Sequence, residues 1–224
     1  MNPLILNLAR SKLFKGLTVG ELETIFREIL YRIEKYKAGE FVRFRGDSCD
    51  DLLILLDGKV KTEMQDFNGK VVRIEVMDAP SLLASGFLFA TDNVFPVDVI
   101  TITDCSFLTI PKKSVINLCR KNEKFLLNLL QDMGDRLVFL SEKLYMLTLR
   151  TLKEKIADYI LSLCKDKQCE VSVPLTKEEL SQVFGVARPS LSRAFADLAR
   201  DGILEMDGRK IIIKDFEKLK ALIK

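Results

Sequence analysis

The residues with the plainest chemical meaning lie between Leu175 and Gly202, in the stretch LTKEELSQVFGVARPSLSRAFADLARDG. Arg188, Ser190, Ser192 and Arg193 fall at or near the start of a helical pattern that opens near Ala187. A helix of this kind fits the major groove of DNA, and an arginine fork on it can bond a guanine edge in bidentate fashion. Pro189 is tolerated there because the first helical turn does not need its missing N–H. Arg209 and Lys210 follow an Asp207-Gly208 hairpin signal between the runs Ile203–Met206 and Ile211–Ile213. That places both beside a hairpin tip, within reach of phosphate. This chemistry is recognition, and bond-breaking chemistry has little to work with. The chain holds no histidine, which removes the commonest general base and the commonest metal ligand. Its five cysteines, Cys49, Cys105, Cys119, Cys164 and Cys169, are scattered and odd in number. They read as structural thiols, with no disulfide framework, metal site or resident cofactor.

Several elements must hold those side chains in place. Thr176 and Glu179 have capping-box spacing ahead of a helix over Lys177–Phe184. Gly185 supplies a left-handed turn residue before the second helix. Leu180, Val183, Val186, Leu191, Phe195 and Leu198 are spaced to meet in one small core. Two helices around a tight glycine turn, followed by a basic hairpin, form a winged helix-turn-helix. The plainer alternative is a small α+β packing module with solvated charges. A short strand, Val171–Val173, and a helix carrying Leu152, Ile156, Ile160 and Leu163 precede this unit.

Upstream, Leu126, Leu130, Met133, Leu137, Leu140, Leu144 and Leu147 alternate spacings of four and three. Sustained over three heptads, that is a coiled-coil seam. The alternative is a helix lying on the core of its own domain. A subunit interface is favoured because Phe125, Leu129, Phe139 and Tyr145 supply a second apolar face. The two helical patterns meet near Arg150-Thr151-Leu152, which is the expected hinge. Earlier still, Thr18 and Glu21 cap a helix carrying Leu22, Ile25, Phe26 and Ile29. From Lys37 to Pro111 short Val-, Ile- and Phe-rich runs alternate with glycines. They include a buried strand over Leu52–Leu56 and an Asn68-Gly69 turn between Lys59–Met64 and Val71–Met77. This texture predicts a β-sandwich or barrel.

The remaining composition sets outer bounds. The chain has 224 residues, 48% hydrophobic and 30% charged, which suits a folded protein of one large or two small domains. A net charge of +3 neither demands nor excludes nucleic acid. No apolar run is long enough to span a bilayer, and the first residues lack a secretory pattern, so a cytoplasmic location is expected.

With these motifs in place, the chain resembles the CRP/FNR family of bacterial transcription regulators over nearly its whole length. KAGEFVRFRGDSCDDLLILLDGKVKTEMQDFNGK is similar to the family's cyclic-nucleotide-binding jelly roll. Ser141-Glu142-Lys143 and TKEELSQVFGVARPSLSR are similar to its dimer helix and DNA-reading motif. The resemblance implies an α+β fold: a jelly-roll sensor over 1–111, a dimerisation helix and hinge over 112–150, and a winged helix-turn-helix over 151–224. It implies a homodimer on an inverted-repeat operator in double-stranded DNA, with RNA polymerase as partner where the protein activates. Arg188 and Arg193 take the places of base- and backbone-contacting arginines, Lys177 that of a phosphate contact. Ser190 and Ser192 lie on the reading face, and Pro189 stands where many members carry glutamate. A regulatory module acting on a partner protein is the rival reading.

The sensor departs further from the family pattern. Cyclic-AMP-binding members use a Gly-Glu pair for the ribose and an Arg-Ser pair for the phosphate. Here Ala84-Ser85 and Phe95-Pro96 stand at those positions, and Leu140, beside Ser141, replaces a hydroxyl residue that meets the purine. A buried phosphate without a cation is costly, so the fold is kept and control by cyclic AMP is lost. The degenerate pocket then suits a neutral or apolar ligand, or is filled by side chains. A filled or much reduced pocket is the favoured expectation, with signal entering elsewhere, for example at Cys49 or Cys105. No cysteine precedes Cys49, so the N-terminal cluster of the family's iron–sulfur branch is missing, and haem ligation by histidine is impossible.

Overall fold

The computed structural model describes residues 3–66, 69, 71–164 and 170–223. Asn68 of the Asn-Gly turn, and Cys169, lie outside the described residues. The chain divides into two compact units, 1–64 with 74–141, and 65–73 with 142–224. The division falls inside the long helix.

The first unit opens with helices α1 (Pro3–Ala9) and α2 (Val19–Glu28). Thr18 caps α2: its hydroxyl accepts from the Glu21 amide at 3.3 Å, and the Glu21 carboxylate accepts from the Thr18 amide at 2.6 Å. Eight strands follow: β1 (Arg32–Tyr36), β2 (Phe41–Arg43), β3 (Asp51–Asp57), β4 (Lys59–Gln65), β5 (Val71–Asp78), β6 (Ser81–Leu83), β7 (Asp98–Thr101) and β8 (Cys105–Pro111). They form two four-stranded sheets, ordered β1-β8-β3-β6 and β2-β7-β4-β5. Leu53 stands opposite Thr109 on one side and Leu83 on the other, both antiparallel. The five consecutive apolar residues Leu52–Leu56 are all buried. Such a run needs both faces of the strand covered. Inward residues join Val60, Phe95, Val99 and Phe107 in the core, and α3 (Lys112–Lys121) lies against β3 and β8.

Helix α4 runs unbroken over Glu123–Leu149. Phe125 and Leu129 are buried in the first unit, where the Phe125 ring lies 5.7 Å from Phe14, and Met133 packs half-buried on the same core. Leu130, Leu137, Leu140 and Leu144 are exposed, and Leu126 and Leu147 are half-buried.

The second unit holds α5 (Leu152–Leu163), β9 (Glu170–Ser172), α6 (Lys177–Phe184), α7 (Arg188–Arg200), β10 (Leu204–Asp207), β11 (Lys210–Ile213) and α8 (Phe216–Ala221). Its sheet is ordered β10-β11-β9, and the hairpin β10–β11 is in register from Leu204 opposite Ile213 to Asp207 opposite Lys210. Ile156, Ile160, Leu180, Leu191, Phe195 and Leu198 share one core with strand residues such as Ile211. Thr151 ends the break after α4 by capping α5: its hydroxyl accepts from the Glu154 amide at 3.3 Å, with the reciprocal bond at 3.2 Å.

One backbone position in the first unit is strained. Ala84, just after β6, has φ 54°, a left-handed conformation that opposes any Cβ. Replacing it with glycine removes a penalty of about 1–2 kcal/mol and adds roughly half of that in chain entropy. Ala84→Gly is therefore expected to raise the melting temperature by about 1–4 °C. A fall in differential scanning calorimetry would show that Ala84 is relaxed.

Candidate nucleic-acid interface and sensor cavity

The joint between α6 and α7 is built from three local features. Thr176 caps α6: its hydroxyl accepts from the Glu179 amide at 3.2 Å and its amide donates to the Glu179 carboxylate at 2.9 Å. These bonds hold the Glu179 carboxyl below its ordinary pKa. Gly185 then takes φ 65° and ψ 35°, so the chain turns left-handed and its amide closes the helix on Gln182. Leu191, Phe195 and Leu198 anchor the buried side of α7. The other side leaves Arg188, Pro189 and Arg193 exposed, with Ser190 and Ser192 half-buried among them.

Lys177, Arg188 and Arg209 converge on one concavity of about 240 Å³, and Lys177 also borders a second with Ser192. The Arg193 guanidinium donates to the Ser190 hydroxyl at 3.4 Å. Lys210 is drawn elsewhere. Its ammonium pairs with Glu170 on β9 at 2.8 Å, and that bond holds its pKa above the ordinary lysine value.

The sequence reading missed a residue beneath this face. Lys155 is only 6% exposed, and its ammonium donates to the carbonyls of Leu147 at 3.0 Å and Phe184 at 3.4 Å. Phe184 is the last residue of α6, where a cation complements the negative end of the helix dipole. A single Lys on an otherwise polar strip gives no signal of this.

In the first unit the expected pocket residues do gather. Ala84, Ser85, Phe95, Pro96 and Leu140 line a cavity of about 460 Å³. Ser141 stays outside that lining, because its hydroxyl donates to the Leu137 carbonyl of its own helix at 2.9 Å. Side chains do not fill this space completely. Phe95 is only 2% exposed, and its ring packs into the core of the sheets instead of blocking the cavity. Three polar groups bordering the space are already engaged. The Arg136 guanidinium pairs with Glu75 and donates to the Leu82 carbonyl at 3.2 Å, and Ser85 donates to Asp132 at 2.6 Å. Asp132 and Arg136 sit four apart on α4 and form a polar stripe that an apolar heptad spacing does not register.

The two thiols named as alternative signal entries are poorly suited to it. Burial pushes the Cys49 thiol up to about 11, and burial likewise raises Cys105. Neither is an activated thiolate. Among the described residues no cluster of three or more His, Cys, Asp or Glu could hold a metal, and no helix is long and apolar enough to cross a membrane.

Residues 33–122 match the cyclic nucleotide-binding domain, and residues 154–222 match the Crp-like helix-turn-helix domain. The chain belongs to the CRP/FNR family of transcription regulators. Over 218 residues it is 22% identical to the CRP-like cAMP-activated global transcriptional regulator of Mycobacterium tuberculosis, covering 95% of this chain and 96% of that protein. Its fold is similar to a CooA mutant from Carboxydothermus hydrogenoformans (TM-score 0.70, 18% identity, 100% of this chain and 97% of that one). It is also similar to the c-di-GMP responsive global regulator CLP of Xanthomonas campestris (TM-score 0.70, 17% identity, 88% of this chain and 100% of that one).

Proposed function

We propose that this CRP/FNR protein is a homodimeric, sequence-specific DNA-binding regulator whose sensor does not use cyclic AMP. The observation that carries the reading is the left-handed turn at Gly185, which joins α6 to a recognition helix with Arg188 exposed beside Lys177 and Arg209. Arg188 supplies a bidentate donor for a guanine edge, while Lys177 and Arg209 neutralise phosphates and fix register. Ser190, Ser192 and Arg193 complete the reading face, and Lys210 joins in only by leaving Glu170. RNA polymerase is the further partner where the protein activates.

Dimerisation is supported by the outer face of α4. Leu130, Leu137 and Leu144, seven residues apart, are 52%, 69% and 63% exposed. A second copy packed along this stripe would remove the three leucines from water. Independence from cyclic AMP is supported by the cavity's charge balance. A cyclic phosphate needs an unopposed cation, and Arg136 is opposed by Glu75. Effectors differ among the similar proteins, one being named cAMP-activated and another c-di-GMP responsive.

Two expectations follow for this surface. After selection of a duplex from a random pool, Arg188→Ala weakens binding to it by about 1–3 kcal/mol and relaxes its sequence preference. Lys177→Ala weakens all duplexes alike and lowers the salt slope by about one. Wild-type discrimination by Arg188→Ala in a mobility-shift assay would remove α7 as the reading helix. Leu137→Glu buries an unpaired charge at the subunit seam and should yield monomers by light scattering at concentrations where the wild type is dimeric. An equally tight Leu137→Glu dimer would place the interface elsewhere.

A further inference from the structure

Resting on the reading that this sensor does not use cyclic AMP, we propose that the first unit's cavity is the binding site of an uncharged, largely apolar small molecule. Its volume of about 460 Å³ lies toward the lower part of the ~300–1,000 Å³ range of small-molecule sites. The space is not sealed: Leu137 and Leu140, both exposed on α4, border it, so a small molecule can reach it.

The walls set the chemistry. Ile74, Leu83, Phe95, Val99 and Leu140 are apolar, and Met64, Met77 and Met133 add flexible thioethers that adapt to ligand shape. Pro96 offers no N–H. The charged groups on the lining, Glu75 and Arg136, cancel each other, and Arg136 also holds the Leu82 carbonyl. An anionic ligand would have to take Arg136 from Glu75 and leave that carboxylate facing the new anion. A cationic ligand would strand Arg136 in the same way. A neutral ligand disturbs neither, and its apolar surface replaces water against apolar walls. Independently, the left-handed Ala84 sits on the lining beside the buried Ser85. Backbone strain of this kind concentrates at ligand clamps, where surrounding contacts hold it in place.

The test uses two fluorescent probes with one ring skeleton, neutral N-phenyl-1-naphthylamine and its sulfonated counterpart 1-anilino-8-naphthalenesulfonate, titrated into the full chain. The neutral probe should bind at least tenfold more tightly. Two cavity-filling variants locate the site. Gly86 lines the cavity with φ −70°, and a Cβ there meets nothing within 4 Å, so Gly86→Leu enters open space without strain. Val97→Phe fills from the strand side. Each should weaken the neutral probe at least tenfold while the melting temperature stays near wild type. Excess cyclic AMP should not displace the probe. The proposal is overturned by equal or tighter binding of the sulfonate, by no binding of the neutral probe, by affinity that neither variant lowers, or by displacement with cyclic AMP. Operator binding measured on the same preparations reads the regulator assignment separately: its loss would tell against that assignment without altering the probe result.

Discussion

The presentation of α7 depends on the left-handed turn at Gly185. At φ 65° a side chain would be strained, and a Cβ would come within 3.4 Å of Leu147 Cδ2. Beneath the turn lies the ammonium of Lys155, bonded to the carbonyls of Phe184 and Leu147. Removing that donor would leave helix-end carbonyls buried without it, a cost of about 1–3 kcal/mol for each unsatisfied group. The end of α4, the body of α5 and the end of α6 therefore meet at one buried charge. The Tyr159 ring meets Phe184 edge-on at 6.0 Å and closes the apolar side of the same joint. Fixing α6 in this way fixes the direction in which Gly185 releases the chain, and hence which side of α7 shows Arg188.

In the first unit the corresponding constraint is charge cancellation. Arg136 and Glu75 neutralise one another beside a space that is otherwise apolar. With its charge met by Glu75, Arg136 is not an unopposed cation for an anionic effector. Leu137 and Leu140 line that space and are also exposed on α4. Occupancy of the cavity and contact with a second subunit would thus act on the same side chains. That shared use is the simplest physical route by which a neutral ligand could alter assembly.

Much of this was legible in the sequence because it rests on local rules. The capping boxes at Thr18 and Thr176, the strand at Leu52–Leu56 and the turn at Gly185 each follow from a few adjacent residues. The box at Thr151 has the same Thr-x-x-Glu spacing and is legible by the same rule. Helices α1 and α8 are seven and six residues long, too short to show a helical period. Other features depend on packing in three dimensions. The seam spacing could not separate Met133, which turns into its own core, from Leu130 and Leu137, which do not, because α4 is apolar on more than one side. Nor could a linear reading tell that Phe95 would pack into the core and leave the cavity open, or that Lys210 would be held by Glu170.

The central claim is that a two-fold pair of recognition helices reads DNA through the α7 face. Hydroxyl-radical footprinting of the full chain on a duplex selected from random sequence tests it most directly. The account predicts two protected patches related by a two-fold axis, with centres about one helical turn apart, ~34 Å. A single protected patch, or protection that slides without preferred sequence, would contradict it.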